Sequence, residues 1–121
     1  MSDGVGNFWY SYTYGNSHWI SISSEHDLDV GSQQYTWLVG ALDSAVANRD
    51  DVPWVVLTIH KPIYCSEDGG PRFQQQLEPL LVQYDVDLTV TGHMHCYERI
   101  HPSLDSTVTV FPVRQVMLVM L

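Results

Sequence analysis

Between Phe8 and Tyr14 the chain alternates, with Phe8, Tyr10, Tyr12 and Tyr14 on one side and Trp9, Ser11 and Thr13 on the other. Gly15-Asn16 supplies a turn, and His18, Ile20 and Ile22 resume the period of two. The pattern predicts a half-buried pair of adjacent antiparallel strands. A polar run from Ser23 to Gly31 predicts a loop. Ser32 is placed to cap a helix that begins near Gln33 and carries an apolar stripe of Trp37, Leu38, Ala41, Leu42, Ala45 and Val46. Asn48 to Asp51 ends that helix, and Gly40 inside it costs roughly 1 kcal/mol against alanine.

Trp54 to Ile59, after Pro53, is a short apolar run rich in β-branched residues. It predicts a central parallel strand covered on both faces. His60 stands where the run ends, and Pro62 prevents its continuation. Beyond the loop from Cys65 to Gly70, Pro71 or Arg72 opens a second helical stretch bearing Phe73, Leu77, Leu80, Leu81 and Tyr84. Pro79 predicts a kink in it, or a division into two short helices. Leu88 to Thr91 is the next buried strand, flanked by Asp85 and Asp87 at its turn and followed by Gly92-His93-Met94-His95.

This order predicts a single α/β (α+β layered) domain over residues 1–121, with a mixed β-sheet and flanking helices. The stretch from Val108 to Leu121 is apolar with Arg114 its only charge, which predicts another strand or two, or an unprotected apolar tail. Its apolar end leads one to expect a truncated sequence or an altered end.

Five basic against fourteen acidic residues give a formal charge of -9. A field of that sign repels nucleic acid and anionic membrane, and repels a phosphate ester unless bound cations reverse it locally. No segment has the length and apolarity of a membrane span. Met1-Ser2-Asp3-Gly4 lacks the basic and apolar regions of a signal peptide, so a cytosolic protein or a piece of a longer chain is expected. Cys65 and Cys96 are too few for a disulfide scaffold. They follow two loops expected to meet, so a pair and two partly buried thiols both stand as readings.

The candidate chemistry lies in the histidines. In open α/β sheets ligands bind beyond the carboxyl ends of the strands. His60 lies there on one strand, and His93 and His95 lie there on the next. Three imidazoles from two adjacent strand ends can converge on a metal, and His-X-His spacing after Gly92 lets alternate side chains face one point. The alternative is two hydrogen-bonded strand-end residues, His60 and His93, with His95 exposed. His18 reads as packed and hydrogen-bonded, and His26 as solvated. His101 is either near the site or a satisfied loop residue. Glu25, Asp27 and Asp29 could offer oxygen ligands, although a solvated face suits them better. No glycine-flanked nucleophile elbow is present.

These residues carry a resemblance. Phe8-Trp9-Tyr10-Ser11-Tyr12-Thr13-Tyr14-Gly15-Asn16 with His18 and Ser23-Ser24-Glu25, then Gln34, Trp37 and Leu38, then Val56-Leu57-Thr58-Ile59-His60-Lys61-Pro62, form a recognisable series. Leu77-Glu78-Pro79-Leu80, Tyr84, Val86 and Asp87 follow, and Gly92-His93-Met94-His95-Cys96-Tyr97-Glu98-Arg99 completes it. Over residues 8–102 the chain resembles the carboxyl-terminal half of the catalytic domain in the purple acid phosphatase branch of the calcineurin-like metallophosphoesterases. Residues 103–121 form an atypical tail.

The resemblance implies a hydrolase of phosphate monoesters that uses a metal-activated water at a dinuclear centre of iron with zinc, manganese or iron. It implies that His60 and His93 bind the divalent metal and His95 the ferric ion. Tyr97, Glu98 and Arg99 would orient the loop. It also implies a secreted, vacuolar or lysosomal setting, in which the absence of a signal peptide here would be unusual. The family's earlier ligands, including the bridging carboxylate, have no counterpart in this chain, and the family histidine after His60 falls near Gly69 or Gly70. At most a partial or mononuclear site is therefore expected from this chain alone. A missing amino-terminal half or a partner chain would complete it. An inactive structural, protein-binding or mononuclear metal-binding domain is the alternative.

Overall fold

The computed structural model describes residues 4–66, 71–104, 107–108 and 116–119. Strand β1 (Tyr10–Tyr14) turns into β2 (Ser17–Ile22) through Gly15 and Asn16. Gly15 has φ +58°, which fits the first loop position of a two-residue hairpin, where glycine carries no Cβ penalty. Helix α1 (Gln33–Ala47) follows, then β3 (Trp54–Ile59), helix α2 (Pro71–Gln83) and β4 (Leu88–Thr91). Short strands β5 (Glu98–Ile100), β6 (Ser103–Leu104) and β7 (Thr107–Val108) precede β8 (Val116–Val119). The six-stranded sheet has the order β1-β2-β3-β4-β8-β5, and β6 with β7 makes a separate two-stranded ribbon. The expected mixed sheet with flanking helices is therefore present. The tail supplies β8, while residues 109–115 and 120–121 lie outside the described residues.

Two crossovers build the site end of the sheet. β2, β3 and β4 are consecutive parallel neighbours, with Ile22 beside Ile59 and Ile59 beside Thr91. Their carboxyl ends are therefore level, and the residues that follow each strand emerge together.

Ser32 caps α1 as expected, its Oγ accepting the Tyr35 N–H at 3.2 Å. Leu38, Leu42 and Ala45 of α1 and Phe73, Leu77, Leu80 and Leu81 of α2 pack on Ile20, Ile22, Val55, Leu57 and Ile59. All these strand residues project from one face of the sheet. Val46, expected in the α1 stripe, is exposed instead. Helix α2 runs unbroken through Pro79, so the expected division into two short helices does not occur. Pro79 lies on the exposed side, as does Gln75. The Gln75 carbonyl that loses its helical partner there can be hydrated.

Cover on both faces of β3 was the other expectation. Val55, Leu57 and Ile59 are buried under the helices, and on the opposite face Val56 is buried as well while Trp54 is exposed. Apolarity on both sides of a strand records what must be buried, not which element buries it.

The opposite end of the strands is tied by Arg49. Its Nη1 donates to Pro53 O at 2.7 Å and to Asp87 Oδ2 at 3.0 Å, and its Nη2 donates to the carbonyls of Tyr84 and Asp85. Asp87 Oδ2 also accepts the Val55 N–H at 2.8 Å. One guanidinium thus joins the turn before β3 to the turn before β4, where Asp85 takes φ +50°.

His18 on β2 is part-buried, its Nδ1 3.3 Å from Thr13 Oγ1 while its buried Nε2 has no partner among the described residues. Loss of solvent around the ring holds its pKa below the ordinary 6.5. The unfolded chain therefore binds a proton at His18 more readily than the folded one. The contribution to stability is complete above pH 6.5 and falls away as pH drops through the lowered folded value. Urea unfolding of His18→Gln across pH 4 to 8, a window of about two units either side of the ordinary histidine value, is expected to give a shallower acid-side loss than the parent. Superimposable profiles would count against this assignment.

Candidate metal centre

The functional side chains sit where the level strand ends release the chain. His60 follows β3, and Gly92-His93 follows β4. The Gly92 N–H donates to His60 O at 2.9 Å and so extends the ladder by one bond past the strands. The Met94 N–H donates back to Gly92 O at 2.9 Å, and His93 between them has φ +72°. This tight three-residue turn holds a bulky residue in the left-handed region, which is costly for any side chain with a Cβ. Its effect is to turn the His93 ring back toward His60. Nδ1 of His93 lies 3.2 Å from Nε2 of His60, and the rings meet nearly edge to face at 82°.

Both rings are exposed. Two imidazole nitrogens on one tetrahedral ion at the usual Zn–N length stand about 3.3 Å apart. The observed separation is close to that spacing, and neutral imidazole is a donor that a first-row metal accepts. As placed, the two rings share a hydrogen bond, the alternative expected from the sequence, at a separation that one ion could also span. His95, two residues on, is exposed and stands outside the pair. Among the described residues no group of three or more His, Cys, Asp or Glu side chains is gathered to hold an ion.

A hollow of about 370 Å³ adjoins His60, lined by Phe8 and Tyr10 on one side and by Ser23, Ser24 and Glu25 on the other, with Thr58 in its floor. The loop that borders it is held from below by buried Gln34. Its Oε1 accepts the Ser23 N–H at 2.7 Å, and its Nε2 donates to the carbonyls of Ser23 at 3.1 Å and Asp27 at 3.3 Å. Glu25 is paired with Lys61, at 2.9 Å from Oε1 and 3.2 Å from Oε2. The hydrogen bonds from Lys61 and then Ser24 hold the Glu25 carboxyl below the usual carboxylate range. Asp27 and Asp29 serve other ends. The Asp29 N–H donates to Asp27 Oδ1 at 2.9 Å, and Gln76 of α2 donates to Asp29 Oδ1. The carboxylate nearest the hollow is thus Glu25, already engaged by a cation.

Glu98 ties the two site loops together, its Oε2 accepting from Ser66 N at 3.1 Å and Ser66 Oγ at 3.3 Å. Arg99, Tyr97 and His101 are exposed. His101 contributes its carbonyl to Ser103 Oγ at 2.9 Å. Cys65 and Cys96 are half-buried thiols, and Gly69 and Gly70 lie outside the described residues. The roles of Gln34 and Ser66 in holding the site loops were not read from the sequence. Gln34 carried one faint signal, a long polar side chain next to a helix start, and the role of Ser66 depends on a residue 32 positions away.

The calcineurin-like phosphoesterase family model matches residues 3–97, which include His60, His93 and His95. The chain belongs to that family. This calcineurin-like phosphoesterase chain is 36% identical to acid phosphatase type 7 of Danio rerio over 131 aligned residues, covering 87% of this chain and 30% of the relative. It is 39% identical to the probable inactive purple acid phosphatase 9 of Arabidopsis thaliana, covering 77% of this chain and 15% of that one. Among solved structures, the purple acid phosphatase PPD1 from yellow lupin seeds superposes with a TM-score of 0.78 at 25% identity. That match covers 93% of this chain and 22% of the lupin chain. The chain thus spans less than a third of the curated relatives it matches, and its fold is that of part of a purple acid phosphatase. No helix among the described residues is long and apolar enough to cross a membrane.

Proposed function

We propose that this chain is the histidine-bearing part of an acid-phosphatase-type phosphomonoester hydrolase, with His60, His93 and His95 as its metal ligands. The observation that carries the reading is that His60 and His93 leave adjacent parallel strand ends and come within 3.2 Å of each other, in hydrogen-bond contact. The family match and the acid phosphatase relatives support the reaction class.

A bound metal would supply positive charge for the oxygens of a phosphate ester and lower the pKa of water. The chain's own residues prepare for that. The turn at Gly92 to Met94 aims His93, and the Gly92 N–H fixes the backbone of His60. Glu98 holds the loop after His60 against the loop after His95. Lys61 is the cation beside His60, and Glu25 neutralises it. A protein with a formal charge of -9 thus has little of its own to offer a phosphate there, which agrees with a role for metal charge. In the resemblance His60 and His93 take the divalent ion and His95 the ferric ion. Glu98, Arg99 and His101 are assigned to shaping the loop that carries them.

A second reading has its own observation. No three ligands are gathered among the described residues, and one similar relative bears the name of a probable inactive phosphatase. Under this reading the chain binds one metal or another protein and does not turn over substrate.

Elemental analysis of the purified chain, with hydrolysis of p-nitrophenyl phosphate from acid to neutral pH, separates the readings. The hydrolase reading expects metal retention and hydrolysis that appears only when the rest of the site is supplied. A folded chain that takes up no zinc, iron or manganese would overturn both the enzyme and the metal-domain readings.

A further inference from the structure

We propose that Glu78, acting through Tyr64, is a positioning residue for His60: it fixes the loop that follows β3 and so sets where the His60 imidazole stands against His93. The metal part of this inference rests on the reading of His60 and His93 as ligands. The placement of the two rings is read without any metal.

Among the described residues Glu78 is the one acidic or basic residue that is buried, at 5% exposure. It lies on α2 next to Leu77, which packs in the core. A carboxyl in such a place costs desolvation unless it is engaged. Its engagement is specific: the Tyr64 hydroxyl donates to Glu78 Oε1, and Nε2 of Gln74, one turn earlier on the helix, stands 3.5 Å from Oε2. For stability alone an apolar residue would serve as well, since replacing both partners of a buried polar pair by apolar groups of similar shape is often neutral or stabilising. The buried carboxyl therefore points to what Tyr64 holds.

Tyr64 ends a short, stiff segment that starts at His60. The His60 carbonyl accepts the Gly92 N–H at 2.9 Å, which anchors the near end to the end of β4. Pro62 has its φ set by its ring, and both Pro62 and Ile63 are buried. Tyr64 anchors the far end on α2, with its ring packed against the core. Two residues on, the Ser66 N–H donates to Glu98 at 3.1 Å. A single hydrogen bond at the His60 carbonyl leaves the backbone free to turn about it. The tie from Tyr64 to α2 removes that freedom through a segment with little slack. The ring contact it protects is sensitive, because Nε2 of His60 and Nδ1 of His93 are 3.2 Å apart and a hydrogen bond weakens steeply with misalignment.

The test uses the full 121-residue chain at one fixed pH, with the imidazole nitrogen NMR signals of His60 and His93 assigned by their loss in His60→Gln and His93→Gln. A Tyr64→Phe/Glu78→Leu double variant removes donor and acceptor together and is expected to unfold at the urea midpoint of the parent or above it. In the metal-free chain its His60 and His93 signals are expected to move away from those of the parent. Its affinity for Zn²⁺ is expected to fall by about tenfold or more, the range for losing an outer partner of a ligand. Glu78→Gln keeps an oxygen that accepts the phenol and is expected to retain both the signals and the affinity. Parent-like imidazole signals in the double variant would overturn the proposal, as would a Glu78→Gln chain that changes as much as the double variant. In a parent that binds zinc, unchanged affinity of the double variant would overturn it too. If the double variant does not fold, Tyr64→Phe alone is held to the same readouts. A parent chain that binds no zinc counts against the proposed function, and the imidazole signals then decide the role of Glu78 by themselves.

Discussion

His93→Gly is expected to unfold at higher urea than His93→Ala, by about 1 kcal/mol, while both lose metal affinity by more than about a hundredfold. The ordering reverses the usual one, because alanine normally stabilises relative to glycine. At His93 the backbone has φ +72°, where a residue with a Cβ costs roughly 1–2 kcal/mol and glycine costs almost none. Against this stands the greater freedom of glycine in the unfolded chain, about 0.5–1 kcal/mol. The difference leaves glycine ahead.

The affinity loss has a separate cause. On the proposed function His93 is a direct ligand, and loss of such a ligand exceeds the 10–100-fold effect of losing an outer partner. Urea denaturation and calorimetric titration with Zn²⁺ read the two effects independently. A His93→Gly chain less stable than His93→Ala would show that the turn stores no strain. Unchanged zinc affinity in either variant would remove His93 from the site.

Arg49→Ala is expected to cost about 2–4 kcal/mol of stability. The Arg49 side chain is 23% exposed and the Asp87 side chain 9%. The pair is partly buried, and breaking it leaves Asp87 with the Val55 N–H but no counter-charge. Three backbone carbonyls lose a donor in the same step. The expected cost lies at the lower part of the buried-pair range and slightly below it, because Arg49 retains some contact with water. Arg49→Lys is expected to recover less than half of the loss, since one ammonium cannot span acceptors that the planar fork reaches on both sides. Equilibrium urea unfolding measures both variants. A loss below about 1 kcal/mol for Arg49→Ala would show the clamp to be an ordinary surface pair.

The legible part of this protein follows from local physics. Ser32 before an apolar stripe predicts the start of α1, and the observed cap bond is that start. Gly15 between two alternating runs predicts the hairpin. The β-branched run from Trp54 to Ile59 predicts a parallel strand, and the residue after it, His60, falls at a carboxyl end because α/β connections make it so. Pro79 did not divide the helix, because a local rule cannot tell whether the freed carbonyl will find water. On the exposed side of α2 it can, and the helix continues.

The histidines divide the same way. Sequence by itself determined that His60 and His93 would emerge at neighbouring strand ends, and its motif series marks the family that the comparison over residues 3–97 shows. Only the tertiary structure decided which groups meet. It gathers His60 with His93 through a left-handed residue, leaves His95 outside that pair, engages Glu25 with Lys61, and joins Glu98 to Ser66 across 32 positions. It also decided that one aromatic face stays uncovered by the helices. Periodicity along a chain records that a side chain seeks burial. Its partner depends on strand order, register and backbone dihedrals, which arise only when distant segments pack together.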